Sequence, residues 1–216
     1  MKSLFVSRSL DADSPIRKVV EGQAVRLVDE SLISFTKVAW EVPETRWLFF
    51  YSKTGVRIFN ERCPSHHYKV LTYGRATAAL HSRYGAVVAH ADADTSRAIG
   101  LLDIFDCKDD ITFVCGRLSL RSVHGHPSLR GYDLPECVVY DQHVREDISS
   151  ESYDLAVITS PLNYASFAKA GRKASVYLSI GSTTAAALQA EGVESMIAAS
   201  PSEAGIATTL SNWLAR

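Results

Sequence analysis

Residues 74–85 read GRATAALHSRYG, and residues 181–192 read GSTTAAALQAEG. Each stretch is a glycine, a threonine three positions on, an alanine-rich segment of helical character and a closing glycine. The apolar runs upstream agree as well: WLFFYSKTGV at 47–56 and DLAVITSPLN at 154–163 both end in a small polar turn. Ser52, Gly74, Thr77 and Gly85 therefore recur as Ser160, Gly181, Thr184 and Gly192, at offsets of 107 or 108 residues. Past the closing glycines, Thr95 and Ser202 each open a further helical stretch. Self-similarity over a unit of this length describes duplicated domains rather than a short-period solenoid.

Short β-branched runs alternate with helical stretches along the whole chain. They are LFV at 4–6, AVRLV at 24–28, WLFFY at 47–51, YKVLT at 68–72, AVVA at 86–89, ITFV at 111–114, CVVY at 137–140, LAVIT at 155–159, SVYLSI at 175–180 and SMIAA at 195–199. Near-continuous apolar strands separated by helices predict parallel sheets covered on both faces. The first copy has five strands before the second begins, whereas the second has three when the chain ends. The two strands before residue 30 complete it. The expected fold is α/β, with two similar parallel-sheet domains of about five strands each, one inserted in the other. The boundaries fall at 1–33 plus 144–216 for the discontinuous domain and 34–143 for the inserted one. Crossings near 30–37 and 140–148 predict a two-stranded linker, with a cleft between the domains.

Composition narrows the class. Of 216 residues, 46% are hydrophobic and 22% charged, enough for one good core or two small ones. No apolar run approaches the roughly 18 residues of a membrane span, and MKSLFVSRSL turns polar too soon for a signal peptide, so a soluble, cytoplasmic protein is expected. Cys63, Cys107, Cys115 and Cys137 lack paired C-x-x-C spacing and read as reduced, mostly buried thiols. A formal net charge of -1 gives no general attraction to nucleic acid, so an anionic ligand has to be gripped locally.

The four repeated turns, YSKTG, YGRAT, ITSPL and IGSTT, fall where parallel sheets bind ligands: outside the carboxyl ends of strands, at helix N-termini with free N–H groups. Together they form neutral anion cradles. Ser and Thr at such positions are also ordinary helix caps, and common descent repeats a cap as readily as a site. On the residues alone the ligand stays open. His90, Asp92 and Asp94, and His124 with His126, lack a third partner at metal-ligand spacing and read as solvated loops, as His66 and His67 read as surface. No metal site is expected. The usual glycine-rich nucleotide, dinucleotide and hydrolase motifs are missing from the sequence. Arg117 and Arg121 are expected on one turn of helix after ITFVCG, and Tyr140 at a strand end near the second crossing.

The series VSR at 6–8, FFYSKTGV at 49–56, YGRATAA at 73–79, VCGRLSLR at 114–121, CVVYDQ at 137–142, ITSPLNYASF at 158–167, SIGSTTAAAL at 179–188 and SPSEAGIATTL at 200–210 resembles the uroporphyrinogen-III synthase family. The resemblance implies two flavodoxin-like domains and an enzyme of tetrapyrrole biosynthesis, a lyase that closes hydroxymethylbilane into uroporphyrinogen III with loss of water and inversion of ring D. It implies no cofactor, a small linear tetrapyrrole polycarboxylate as the partner, and a monomer as the simplest assembly. It makes Tyr140 the catalytic proton donor. It makes Arg8, Ser52, Lys53, Gly74, Thr77, Arg117, Ser160, Gly181, Ser182 and Thr184 the substrate-binding set. Lys53 and Ser182 depart from residues common in the family. A non-catalytic binding protein for a tetrapyrrole or other polycarboxylate is the alternative, and a two-domain interaction protein a third.

Overall fold

The computed structural model describes residues 1–145 and 147–215; Glu146 and Arg216, which fall in the expected discontinuous domain, lie outside them. The chain divides into two compact units, Met1–Ser34 with His143–Arg216, and Phe35–Gln142.

The discontinuous unit holds β1 (Lys2–Val6), α1 (Pro15–Val20), β2 (Val25–Asp29), β9 (Ser152–Ile158), α5 (Pro161–Lys169), β10 (Lys173–Ser179), α6 (Ser182–Ala190), β11 (Met196–Ile197) and α7 (Glu203–Leu214). Its parallel sheet runs β11-β10-β9-β1-β2. Successive residues of each central strand go to opposite faces, as a pleat requires. Leu4, Val6, Leu155 and Val157 pack with Ile16, Val20, Ile206 and Leu210 of α1 and α7. Phe5, Ala156 and Ile158 pack the other way, with Tyr164, Phe167 and Leu188 of α5 and α6.

The inserted unit holds β4 (Trp47–Phe50), α2 (Lys53–Arg62), β5 (Lys69–Thr72), α3 (Arg75–His81), β6 (Ala89–His90), α4 (Thr95–Ile104), β7 (Ile111–Gly116) and β8 (Glu136–Val144). β3 (Ile33–Lys37) joins them in a sheet ordered β3-β8-β7-β4-β5-β6. Phe49, Leu71 and Phe113 face Ala98 and Leu102 of α4. Leu48, Phe50, Val70 and Val114 face Val56, Phe59 and Leu80 of α2 and α3.

The two sheets share one arrangement under a change of starting point. Counted from the repeated strand, β9 or β4, each sheet has the order 3-2-1-4-5, and the inserted unit carries β3 in addition. β1 thus takes the place of β7, and β2 that of β8.

The crossing at 30–37 carries β3, hydrogen-bonded to β8 as a two-stranded linker requires, and it makes the inserted sheet six-stranded against the expected five or so. Two other local expectations change. AVVA gives way to the two-residue β6 at Ala89–His90, and the run at 195–199 to the two-residue β11, both short edge strands that offer little backbone for further pairing. Among the described residues no α-helix lies between β7 and β8, only a single 3-10 turn at Pro127–Leu129. Residues 117–126 are turns and irregular backbone, and Arg121 adopts φ 52°, a left-handed conformation incompatible with continuing a helix.

Candidate functional site

In an open parallel sheet the crevice lies where the strand order reverses, at the carboxyl ends of the two strands on either side. In the inserted unit those strands are β4 and β7, and in the discontinuous unit β9 and β1. Ser52 follows β4 as Ser160 follows β9, and Arg117 follows β7 as Arg8 follows β1. Four of the expected residues thus occupy two equivalent switch points, one in each unit.

At the first, Ser52 is the N-cap of α2, and its Oγ accepts the Gly55 N–H at 3.0 Å. The same Oγ lies 3.0 Å from the Tyr140 hydroxyl. Tyr140 does not end its strand but sits inside β8, where the pairing slips: Cys115 faces Val138 while Gly116 faces Tyr140. A bulge of this kind re-aims the side chain it carries. The ring lies across Gly116, where an added Cβ would come within 2.4 Å of the Tyr140 Cε2. The Phe35 ring also packs edge-on against the Tyr140 ring, with centroids 5.5 Å apart. Tyr140 is consequently only 3% exposed. Burial raises its pKa, against the hydrogen bonds from Ser52 and Ser119, which favour the ionised form.

Arg117 does not face the site as a free cation. Its Nε donates to Asp141 at 3.1 Å. Arg121 is a structural tie: it forks onto Glu136 with two 2.9 Å bonds and donates to the carbonyls of Arg117 and Ser119. Lys53, first in α2, has no ion-pair partner among the described residues.

At the second switch point Ser160 caps α5, accepting the Asn163 N–H at 3.1 Å and its Nδ2 at 3.0 Å. Asn163 also donates to Thr159, which is bound in turn to Ser7 through its own N–H at 2.9 Å. The Oδ1 of Asn163 is buried without a partner. Arg8 reaches Glu203 at 3.7 Å, so it too is already near a carboxylate.

The remaining expected residues line the next strand ends along. Gly74 and Gly181 are the N-caps of α3 and α6, with no side-chain cap. Their φ values, −127° and −171°, suit any residue. A Cβ on Gly74 would meet nothing within 4 Å, and one on Gly181 only the Pro201 Cβ at 3.8 Å. The fold itself makes no demand for glycine at either position. Thr77 and Thr184, at 6% and 3% exposure, are buried beneath these caps, yet their hydroxyls bond to no other group among the described residues. Ser182 is exposed at the first position of α6.

One constellation differs from its sequence reading. His124 is buried, not solvated: its side chain is 5% exposed, with Nδ1 2.8 Å from the Tyr51 hydroxyl and Nε2 2.8 Å from Glu136. The Tyr51 oxygen also accepts the N–H groups of Val123 and His124, so it donates to Nδ1 and the imidazole carries its proton on Nε2. Burial lowers the His124 pKa, and the Arg121 guanidinium holds Glu136 below the usual carboxylate range. The sequence separates these partners by up to 85 positions, and only the strand order brings them together. Asp92, in the other His/Asp group, is tied to Arg75, His90 and Arg97.

A family model described as uroporphyrinogen-III synthase HemD matches residues 25–208. Among solved structures, a uroporphyrinogen-III synthetase from Helicobacter pylori 26695 is similar at 18% identity and TM-score 0.69, covering 98% of this chain and 100% of that one. A mutant uroporphyrinogen III synthase from the extremely thermophilic bacterium Thermus thermophilus is similar at 14% identity and TM-score 0.57, covering 100% and 99%. No curated protein matches the chain significantly.

Proposed function

This chain belongs to the uroporphyrinogen-III synthase family, and from that premise we propose that it closes hydroxymethylbilane into uroporphyrinogen III with loss of water and inversion of the last ring. The observation that supports this most is the pair of equivalent switch points, each with a serine-capped helix and an arginine, in a chain whose net charge is -1. A substrate with eight carboxylates is met by several local cradles rather than by a basic surface. One carboxylate at a helix N-terminus gains about 0.3–1 kcal/mol, so only a set of such contacts holds a polyanion firmly.

In this reading Ser52, Lys53, Ser160 and Ser182 present the cradles, with Gly74 and Gly181 leaving room for a ligand against the backbone and Thr77 and Thr184 supplying unpaired hydroxyls. Arg8 and Arg117 exchange their internal carboxylates for the substrate's. The reaction is a net dehydration without change of oxidation state, so it calls for no redox partner. Loss of the terminal hydroxyl gives an azafulvene cation, and the protein's task is to hold the chain so that the inverted closure outruns the direct one, a matter of positioning. Tyr140 is the proton source for the departing hydroxyl. General-acid help of this kind is typically worth 10²- to 10⁴-fold. A monomeric, cytoplasmic enzyme with no nucleic-acid partner completes the proposal.

The test feeds freshly generated hydroxymethylbilane to the purified protein and resolves the type I and type III uroporphyrin isomers after oxidation. Predominantly type III product is expected. Type I product alone, at the spontaneous rate, overturns the reading in favour of a non-catalytic binder.

A further inference from the structure

Resting on the cyclising function proposed above, we propose that Ser52 is the residue that hands the proton to the departing hydroxyl, with Tyr140 recharging it from behind. Tyr140 is 3% exposed, its ring packed against Gly116 and Phe35, so its phenol is walled in by protein. Ser52 is half-buried at the mouth of the switch point, and the two oxygens are 3.0 Å apart.

The hydrogen-bond polarity suits a relay. Ser119 Oγ accepts the Gly116 N–H at 3.0 Å, and Ser52 Oγ accepts the Gly55 N–H at 3.0 Å. Both serines therefore have a lone pair occupied by the backbone and a proton left to give. With the Gly55 N–H on one Ser52 lone pair and the phenol donating to the other, the Ser52 proton is the one that remains for an external acceptor. Ser119 and Ser52 are also the two groups that favour the ionised phenol once it has given its proton up.

The step balances. The C–O bond of the terminal hydroxymethyl breaks, with its electron pair staying on oxygen. The Ser52 Oγ–H proton converts the leaving group to water while the Tyr140 proton moves to Ser52. The resulting tyrosinate is matched by the azafulvene cation. When the last ring closes and its α-carbon loses hydrogen on returning to a pyrrole, that proton goes back through Ser52 to Tyr140.

Ser52 is also a helix cap, so the test has to separate capping from proton transfer. Asn caps a helix about as well as Ser but carries no hydroxyl, whereas Thr keeps both. Ser52→Asn, Ser52→Thr, Tyr140→Phe and the Ser52→Asn/Tyr140→Phe double variant are compared for type III turnover, KM and melting temperature. The expected result is a kcat lowered roughly 10²-fold or more in Ser52→Asn and Tyr140→Phe, with KM and melting temperature near wild type. Ser52→Thr restores turnover, and the double variant is no slower than the slower single one. A folded Ser52→Asn protein with wild-type kcat, or single effects that multiply in the double variant, overturns the relay while leaving the function intact. A wild-type protein that makes only type I product overturns the function itself.

Discussion

Two kinds of glycine stand near the switch points, and they make opposite predictions. Gly116 is fixed from inside: a Cβ there enters the Tyr140 ring at 2.4 Å and nears the Gln142 Oε1 at 2.9 Å. Gly116→Ala is expected to cost about 1–3 kcal/mol, the usual range for overpacking, and to reduce turnover by displacing Tyr140. Gly74 and Gly181 are unconstrained from inside. Gly74→Ala and Gly181→Ala are expected to melt within about 0.5 kcal/mol of wild type, as unobstructed surface substitutions do, while raising KM for the tetrapyrrole several-fold. Thermal melts beside steady-state kinetics distinguish the two classes. Unchanged KM in both alanine variants contradicts the cradle assignment.

At the level of elements, the turns that cap α2 and α5 are legible because a Ser followed three positions later by its N–H partner is a local pattern, Ser52 with Gly55 and Ser160 with Asn163. Arg8 and Arg117 can be picked out as cations, but not their equivalence, which emerges only when β1 is seen to take the place of β7. The loop after β7 reads as helix in the sequence because what shapes it is non-local. Arg121 is held by Glu136 and by two carbonyls, and His124 is anchored between Tyr51 and Glu136. That anchor gives the loop a pH response. His124 and Glu136 both have pKa values below their ordinary ones, so their contributions are complete above the unfolded values, about 6.5 and 4.3, and are lost as pH falls through the lower folded values. His81, buried against Ser65 with its pKa also lowered, acts in the same direction. The melting temperature is expected to fall on acidification below about pH 6.5, and His124→Gln is expected to flatten that fall in part, leaving the share carried by His81. A melting temperature independent of pH between about 7 and 5, the range just around and below the unfolded histidine value, contradicts this account.

Over the whole molecule, one unit has been used twice with different starting points, and each copy keeps its switch point, serine cap and arginine. What differs is the strand beyond the one that carries the arginine. In the inserted unit its place is taken by the bulged β8, which delivers Tyr140 to Ser52; in the discontinuous unit it is taken by β2, whose Asp29 accepts from Arg17 and the Leu10 N–H instead. The phenol–serine pair therefore belongs to the inserted unit, while both units carry a serine-capped helix at the switch point. This asymmetry predicts that Ser160→Ala, which removes a cap and a cradle but no relay, costs about 0.5–2 kcal/mol of stability and raises KM more than it lowers kcat. Equal losses in kcat from Ser160→Ala and Tyr140→Phe contradict it. The central claim is cyclisation with inversion, and it is tested most directly by the isomer ratio at fixed hydroxymethylbilane as the protein is titrated in. The account predicts a type III share that climbs with protein until it dominates the product; a ratio that stays at spontaneous type I closure at every protein concentration contradicts it.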